Sequence, residues 1–178
     1  MTPPPGAERR IVVLGVSGSG KTTVGEALAA RLGSGFVDAD DLHPPASVAK
    51  MAAGIPLTDE DREPWLRAVA GVLAEARAEG RGLVVACSAL RRRYRDQLRV
   101  GDPELLCLLL DGSRELLESR LRARRGHFMP ADLLDSQLAT LEPLVADERG
   151  TVLDLAVPVA DLVEAAARAA GDARPRLS

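Results

Sequence analysis

A glycine-rich segment near the beginning of the chain has the residue types and spacing that bind phosphate. Residues 15–23 read GVSGSGKTT and match the pattern G-x-x-x-x-G-K-[ST]. Its glycines let backbone N–H groups surround phosphate oxygens, its lysine neutralises the β- and γ-phosphates, and the next hydroxyl ligates Mg²⁺. The sequence therefore predicts a site for a nucleoside triphosphate with Mg²⁺. The predicted binding residues are Gly15, Val16, Ser17, Gly18, Ser19, Gly20, Lys21 (also catalytic), Thr22 (also a metal ligand) and Thr23.

Two carboxylates follow the next apolar segment of the chain. The third apolar segment ends in Ser88 and not in an acidic residue, which leaves Asp38 as the best carboxylate for the metal shell. Asp40 lies two residues later, and in an extended chain both side chains point the same way. One can order Mg²⁺ through water while the other accepts a hydroxyl proton. We expect Asp38 at the metal and Asp40 as catalytic base. The spacing also allows the reverse, and Asp40 or Asp41 could instead cap a helix.

Five apolar segments of strand length alternate with longer segments that have helical spacing. In the first of the longer segments, Val24, Leu28 and Leu32 recur at every fourth position. Continuous apolar strands that alternate with helices are typical of a parallel sheet covered on both faces. The sequence therefore predicts one α/β domain with a five-stranded parallel sheet. The predicted strands are 11–15, 35–39, 83–88, 105–110 and 151–156.

Two connections between strands are longer than one helix requires. Residues 40–80 and 111–150 could each hold two helices, and such insertions often carry substrate-binding and lid segments. Within the second connection, Arg120 and Arg124 are four residues apart on one helical face. We expect a lid around residues 120–135 whose two arginines bind the nucleotide, with Arg124 also catalytic because it offsets charge on the transferred phosphoryl group. An exposed basic stripe is the alternative.

The ends of the chain define the expected domain boundaries. The N-terminal sequence MTPPPGAERR has no apolar segment of the kind found in signal peptides. We expect residues 1–9 to be a disordered lead, residues 10–172 to form the single domain and residues 173–178 to be a C-terminal tail.

The composition disfavours several classes of protein. A net charge of −3 and a pI of about 5.5 give no global positive field for nucleic acid. No run of residues approaches the roughly 20 apolar residues of a membrane helix. Cys87 and Cys107 each lie in an apolar run, which predicts buried, reduced thiols in a cytoplasmic protein. The guanine-binding motif N-K-x-D of regulatory GTPases is absent from the sequence, and the two histidines and two cysteines lack the spacing of a zinc site.

Four motifs beyond the phosphate loop resemble the gluconokinase family of shikimate-kinase-like small-molecule kinases. They are D-x-D-x-x-H-P from Asp38, P-L-x-D-x-D-R-x-P-W from Pro56, C-S-A-L from Cys87 and R-G-H-F from Arg125. The resemblance extends over residues 11–155. It implies a P-loop kinase fold with a helical lid, a homodimer, and transfer of the γ-phosphoryl group of ATP to the 6-hydroxyl of D-gluconate.

Gluconate is a polyol with a carboxylate, so its site should combine cationic side chains with polar ones that bind hydroxyls. Arg62 lies among acids that could pair with it at a helix start, and Trp65 fits core packing better than stacking on a sugar. Arg91 stands where the family more usually has lysine, which keeps the charge but changes the hydrogen-bonding geometry. The expected substrate-binding residues are Asp40, His43, Lys50, Arg62, Ser88, Arg91 and His127.

Two other functions fit parts of the sequence. A kinase acting on shikimate or on a nucleoside monophosphate would share the phosphate loop, but the segments DDLHPP and RGHF argue against it. A nucleotide-dependent switch would hydrolyse ATP slowly whether or not a sugar acid is present, and the missing guanine-binding motif disfavours it.

The assignment of the phosphate loop predicts the effect of Lys21→Ala. This change should impair both triphosphate binding and phosphoryl transfer, because Lys21 is expected to neutralise the phosphates in the ground state and during transfer. ATP binding by calorimetry and steady-state kinetics would measure both effects. Unaltered kinetics would contradict the role of Lys21.

Overall fold

The computed structural model describes residues 2, 4–124 and 131–172 of the chain. Within them the chain forms five strands, seven α-helices and one 3₁₀ turn, Ala39–Leu42, which follows the second strand. The strands are β1 Arg10–Leu14, β2 Gly35–Asp38, β3 Leu83–Ala86, β4 Leu106–Asp111 and β5 Gly150–Asp154. The helices are α1 Lys21–Leu32, α2 Pro45–Ala52, α3 Asp59–Ala78, α4 Arg92–Gly101, α5 Arg114–Ala123, α6 Ala131–Thr140 and α7 Val159–Asp172.

The five strands form one parallel sheet in the order β2-β3-β1-β4-β5. The predicted strands and the α/β fold class are thus confirmed. Ala86 pairs with Val13 of β1 on one side and with Asp38 of β2 on the other. The carboxyl ends of these three strands therefore lie at one level, and the segments that follow them meet at the same edge of the sheet.

Helices cover both faces of the sheet because the central strands are apolar on both sides. Ile11 and Val13 of β1 belong to a core shared with α1 and α7, whereas Val12 and Leu14 belong to a second core shared with α3 and α4. Successive side chains of a strand point to opposite faces, so one short apolar strand supplies both cores.

The two long connections each contain two helices, as expected. The first contains α2 and α3 after the 3₁₀ turn, and the second contains α5 and α6. Helix α3 begins with a capping box, in which the Thr58 hydroxyl accepts from the Asp61 N–H and the Asp61 carboxylate accepts from the Thr58 N–H. None of the described helices combines the length and hydrophobicity needed to cross a membrane.

Residues 4–9, for which we expected disorder, form turns against the domain. The Ser34 hydroxyl donates to the Ala7 carbonyl at 3.0 Å, and the Leu83 N–H donates to the Arg9 carbonyl at 3.0 Å. The N-terminal segment therefore hydrogen-bonds to the beginning of β3 and to the end of α1, at the edge of the sheet opposite the phosphate loop.

A buried ion pair connects α4 to the segment before β5. The Arg95 guanidinium donates to both oxygens of Glu148 at 2.7 and 2.8 Å, and both side chains are almost completely buried. Burial alone would raise the pKa of Glu148, but hydrogen bonds from Arg95 and Arg99 outweigh it and lower the pKa to about 2. Arg95 also donates to three carbonyl groups, those of Leu90, Glu142 and Pro143.

Glu148→Gln should lower the free energy of unfolding at pH 7 by about 3 kcal/mol, because it leaves the buried Arg95 charge uncompensated. The pKa of Glu148 is depressed in the folded chain, so its stabilisation is present above pH 4.5 and is lost as the pH falls toward 2. The difference between variant and wild type should therefore shrink over that range in urea unfolding experiments.

The matched control is Asp147→Asn, which removes an exposed partner of Arg92. Exposed ion pairs contribute little to stability, so this variant should stay close to wild type at every pH. Equal unfolding free energies for Glu148→Gln and wild type at pH 7 would contradict the role given to the buried pair.

Candidate active site

The phosphate loop connects the carboxyl end of β1 to the beginning of α1 and depends on glycine. Gly20 precedes the helix with φ of 87°, and Gly18 has φ of 82°. A Cβ atom on Gly18 would also lie 2.8 Å from Cγ of Leu121 in α5. Only glycine adopts this backbone conformation easily, and only glycine allows α5 to approach so closely. Helix α1 ends at Gly33, as the sequence predicts.

Several backbone N–H groups of the loop are available to a ligand. The amides of Gly18, Gly20, Lys21 and Thr22 donate to none of the residues that the structure describes. They lie at the N-terminus of α1, where the partial positive charge of the helix favours an anion. This is the arrangement that a phosphate chain requires.

Lys21 reaches back over the loop. Its Nζ donates to the Val16 carbonyl at 3.2 Å. Burial lowers the pKa of Lys21, while the negative charges of Asp40 and Asp38 act in the opposite direction. Both carboxylates therefore lie close enough to the ammonium group to stabilise its charge.

Asp38 is held at the end of β2 by two hydrogen bonds. Its Oδ2 accepts from the Thr22 hydroxyl at 2.8 Å, and its Oδ1 accepts from the Asp40 N–H at 3.0 Å. Hydroxyl and carboxylate oxygens are the ligands that Mg²⁺ prefers, so the Thr22–Asp38 pair fits the expected metal site. No group of three or more His, Cys, Asp or Glu residues forms a metal site in the described ranges, so the remaining ligands would come from nucleotide and water.

The extended conformation expected around Asp40 is wrong. The chain does not stay extended after Asp38 but enters the 3₁₀ turn, for which Asp38 is the N-cap. Asp40 therefore comes near the loop through a turn and not through strand alternation. Neither Asp40 nor Asp41 is the N-cap of this turn or of helix α2.

The environment of Asp40 suits proton transfer. Its side chain remains accessible to solvent and donates to or accepts from none of the described groups. Protein that displaces water from the carboxylate raises its pKa, and so does the neighbouring charge of Asp38; Lys21 and His43 oppose the shift. A carboxylate whose pKa is raised accepts a proton more readily than an ordinary one.

His43 is held by Trp65. The two rings are stacked with centroids 4.3 Å apart and planes inclined by 12°. Trp65 is buried, as core packing predicts, and its Nε1–H donates to the Ala39 carbonyl at 2.6 Å. Burial lowers the pKa of His43, and its buried Nδ1 has no partner among the described residues. The imidazole lies close enough to Asp40 for the charges of the two groups to interact.

Arg62 and Lys50 have different partners from those the sequence suggested. Arg62 donates to the Leu57 carbonyl at 2.7 Å, and its guanidinium lies 5.8 Å from the centre of the Tyr94 ring. Asp61 instead pairs with Lys50, whose Nζ lies 2.8 Å from both of its oxygens. The Asp61 carboxylate balances the charge of Lys50, whereas Arg62 forms an ion pair with none of the described carboxylates.

The remaining expected site residues lie around the same edge of the sheet. Ser88 is half-buried two residues beyond β3, and Arg91 is half-buried at the N-cap of α4. Arg124 is exposed at the end of α5, and its positive charge acts on Lys21. His127 and the rest of residues 125–130, which belong to the expected lid, lie outside the described residues.

Arg120 supports the phosphate loop directly. Its guanidinium donates to the Ser19 carbonyl at 3.4 Å and to the Leu155 carbonyl at 2.9 Å. It is thus not part of an exposed basic stripe but connects α5 to the loop and to the end of β5.

One contact of the phosphate loop has no signal in the sequence. The Ser17 N–H donates to Oε1 of Gln137, in helix α6, at 2.7 Å. No motif includes Gln137, and its only local sign is a polar amide among the apolar positions of α6.

Comparison with known proteins gives one consistent family. The family model described as "AAA domain" matches residues 11–144. The chain is 54% identical over 140 residues to the gluconokinase of Gluconobacter oxydans, covering 79% of each protein. It is 43% identical to the thermosensitive gluconokinase of Escherichia coli, covering 89% of this chain and 85% of that one. The crystal structure of a gluconokinase from Sinorhizobium meliloti superposes with a TM-score of 0.84 at 47% identity, covering 92% of both chains.

The geometry around Asp40 predicts that Asp40→Asn lowers turnover by orders of magnitude while nucleotide still binds. The amide keeps the shape of the side chain but cannot accept a proton, and it lies outside the phosphate loop. In the wild type, kcat/KM should fall on the acid side at a pH above the ordinary range of an aspartate, because the pKa of Asp40 is raised.

Asp41→Asn is the matched control, since Asp41 is an exposed acid in the same turn. It should keep turnover close to wild type. Near-normal turnover of Asp40→Asn, measured by ADP release beside ADP binding, would contradict the assignment of Asp40 as base.

Proposed function

Because the chain belongs to the gluconokinase family, we propose that it transfers the γ-phosphoryl group of ATP to the 6-hydroxyl of D-gluconate. The products are 6-phospho-D-gluconate and ADP. The observation that supports this most directly is that the charge of His43 acts on Asp40, and that Asp40 and Lys21 of the phosphate loop are close enough for their charges to interact. An acceptor hydroxyl between them would meet a proton acceptor on one side and the triphosphate on the other.

The phosphate loop and its surroundings bind the nucleotide. The amides of Gly18, Gly20, Lys21 and Thr22, which donate to none of the described residues, and the ammonium of Lys21 bind the β- and γ-phosphates. Thr22 and Asp38 would hold Mg²⁺, which would neutralise part of the phosphate charge. Arg120 keeps the loop in place from α5, and Arg124 adds positive charge on the side of Lys21.

The acceptor side has the groups that a sugar acid needs. Asp40 accepts the proton of the 6-hydroxyl, and the half-buried side chains of His43 and Ser88 can bind the other hydroxyls. Arg62 and Arg91 are better suited than Lys50 to the gluconate carboxylate, because Asp61 already neutralises Lys50. His127 remains part of the proposed acceptor site.

Family resemblance also supports a homodimer in the cytoplasm. The nearest competing function is transfer to a different small acceptor, and a nucleotide switch without an acceptor is the competitor from another class. The proposed function and both competing functions use the same phosphate loop, so only the identity of the acceptor distinguishes them.

The proposed function is tested by ADP release from Mg-ATP with gluconate, with shikimate, with stereoisomers of gluconate and with no acceptor. We expect turnover with gluconate well above that of every other arm, and a product whose phosphate is on the 6-oxygen by ³¹P NMR. Equal, slow ADP release in all arms would contradict transfer to gluconate, while ATP binding by the loop would still stand.

A further inference from the structure

One side chain of helix α6 is hydrogen-bonded to the phosphate loop. Oε1 of Gln137 accepts the Ser17 N–H at 2.7 Å, although the two residues are 120 positions apart. Because a backbone N–H can only donate, the amide oxygen and not the amide nitrogen must face the loop. The orientation of the Gln137 amide is therefore fixed by its partner.

The peptide group between Val16 and Ser17 is held at both ends. Its carbonyl oxygen accepts from Nζ of Lys21 at 3.2 Å, and its N–H donates to Gln137. The carbonyl and N–H of a trans peptide point in opposite directions within one plane, so fixing one end fixes the other. Gln137 thereby orients the carbonyl group that receives the ammonium of Lys21.

Gln137 does not compete with phosphate for the loop. The Ser19 N–H is already bonded to the Val16 carbonyl at 3.2 Å. The amides of Gly18, Gly20 and Lys21 have no partner in the described part of the chain and stay available. The amide that Gln137 binds thus lies outside the group available to the nucleotide, and its contact completes the loop without blocking it.

Helix α6 is anchored on both sides of Gln137. Asp135 accepts two hydrogen bonds from Arg114 of α5, at 2.7 and 3.1 Å. Just beyond the helix, the Glu142 carboxylate accepts from the Arg92 N–H at the beginning of α4 at 2.6 Å. These hydrogen bonds fix α6 to α5 and α4. The position of Gln137 therefore depends on these neighbouring helices and not on the loop alone.

We propose that Gln137 is a positioning residue for phosphoryl transfer. It holds the Val16–Ser17 peptide, and through it Lys21, in the orientation that receives the nucleotide. The inference rests on the proposed function, since it concerns the loop that binds ATP. Gln137 acts through the backbone of the loop and not on the reacting atoms.

The test compares Gln137→Met with Gln97→Met. Methionine has nearly the shape of glutamine without the acceptor, and Gln97 is an exposed glutamine on α4. For Gln137→Met, the Kd of ADP should rise, and kcat/KM for ATP should fall, by about 3- to 10-fold, as expected for the loss of one neutral hydrogen bond. The KM of gluconate and the melting temperature should stay unchanged, and Gln97→Met should match wild type in every measurement.

Unchanged ADP affinity and ATP kinetics in Gln137→Met would overturn the proposal. An equal rise in the gluconate KM, or a clear drop in melting temperature, would indicate a general structural role and overturn it as well. If wild type shows no gluconate-dependent turnover but ADP binding still depends on Gln137, the proposed function fails and the positioning role is supported.

Amide exchange measured by NMR gives a second readout that does not depend on activity. Exchange at the Ser17 N–H should be slow in wild type and at least several-fold faster in Gln137→Met. Exchange at the Ser19 N–H, which is bonded within the loop, should be the same in both proteins. Equal exchange rates at Ser17 would overturn the proposal.

Discussion

The hydrogen bond between the Thr22 hydroxyl and the Asp38 carboxylate connects the two halves of the site. Thr22 lies in the first turn of α1, at the phosphate loop, and Asp38 ends β2, from which the acceptor side of the site continues. Asp38 then caps the turn that carries Asp40 toward Lys21. The separation between Asp40 and the phosphate loop therefore depends on this contact and on the sheet register that brings Asp38 level with the end of β1.

The parts that the sequence predicts well are those with a local physical signal. Apolar runs fix the strands because the central strands are buried on both faces, and the glycine pattern of the loop reflects backbone angles that other residues avoid. The parts it misses join polar residues that are distant in the chain. Neither the contact of Gln137 with Ser17 nor the pairing of Arg95 with Glu148 has a periodicity or a motif.

The acceptor side shows why residue types alone do not fix roles. Arg62 lies among acids that could pair with it, but the capping box places one of these acids, Asp61, so that it pairs with Lys50. The extended conformation predicted for Asp40 is wrong, although a turn and an extended chain both bring this residue to the edge of the sheet. The sheet topology predicts which segments meet at the edge of the sheet. The hydrogen-bond and ion-pair partners of each side chain depend on the three-dimensional packing.

The attachment of α2 has a consequence for behaviour in different electrolytes. Ser47 is the only buried residue described in α2, and the helix is connected to α3 through Lys50 and Ser47, both of which contact Asp61. An ion pair that is partly open to solvent is screened by salt, whereas the apolar packing that holds the phosphate loop is not. Rising ionic strength should therefore loosen the attachment of α2, at the proposed acceptor side of the site, while the phosphate loop keeps its conformation.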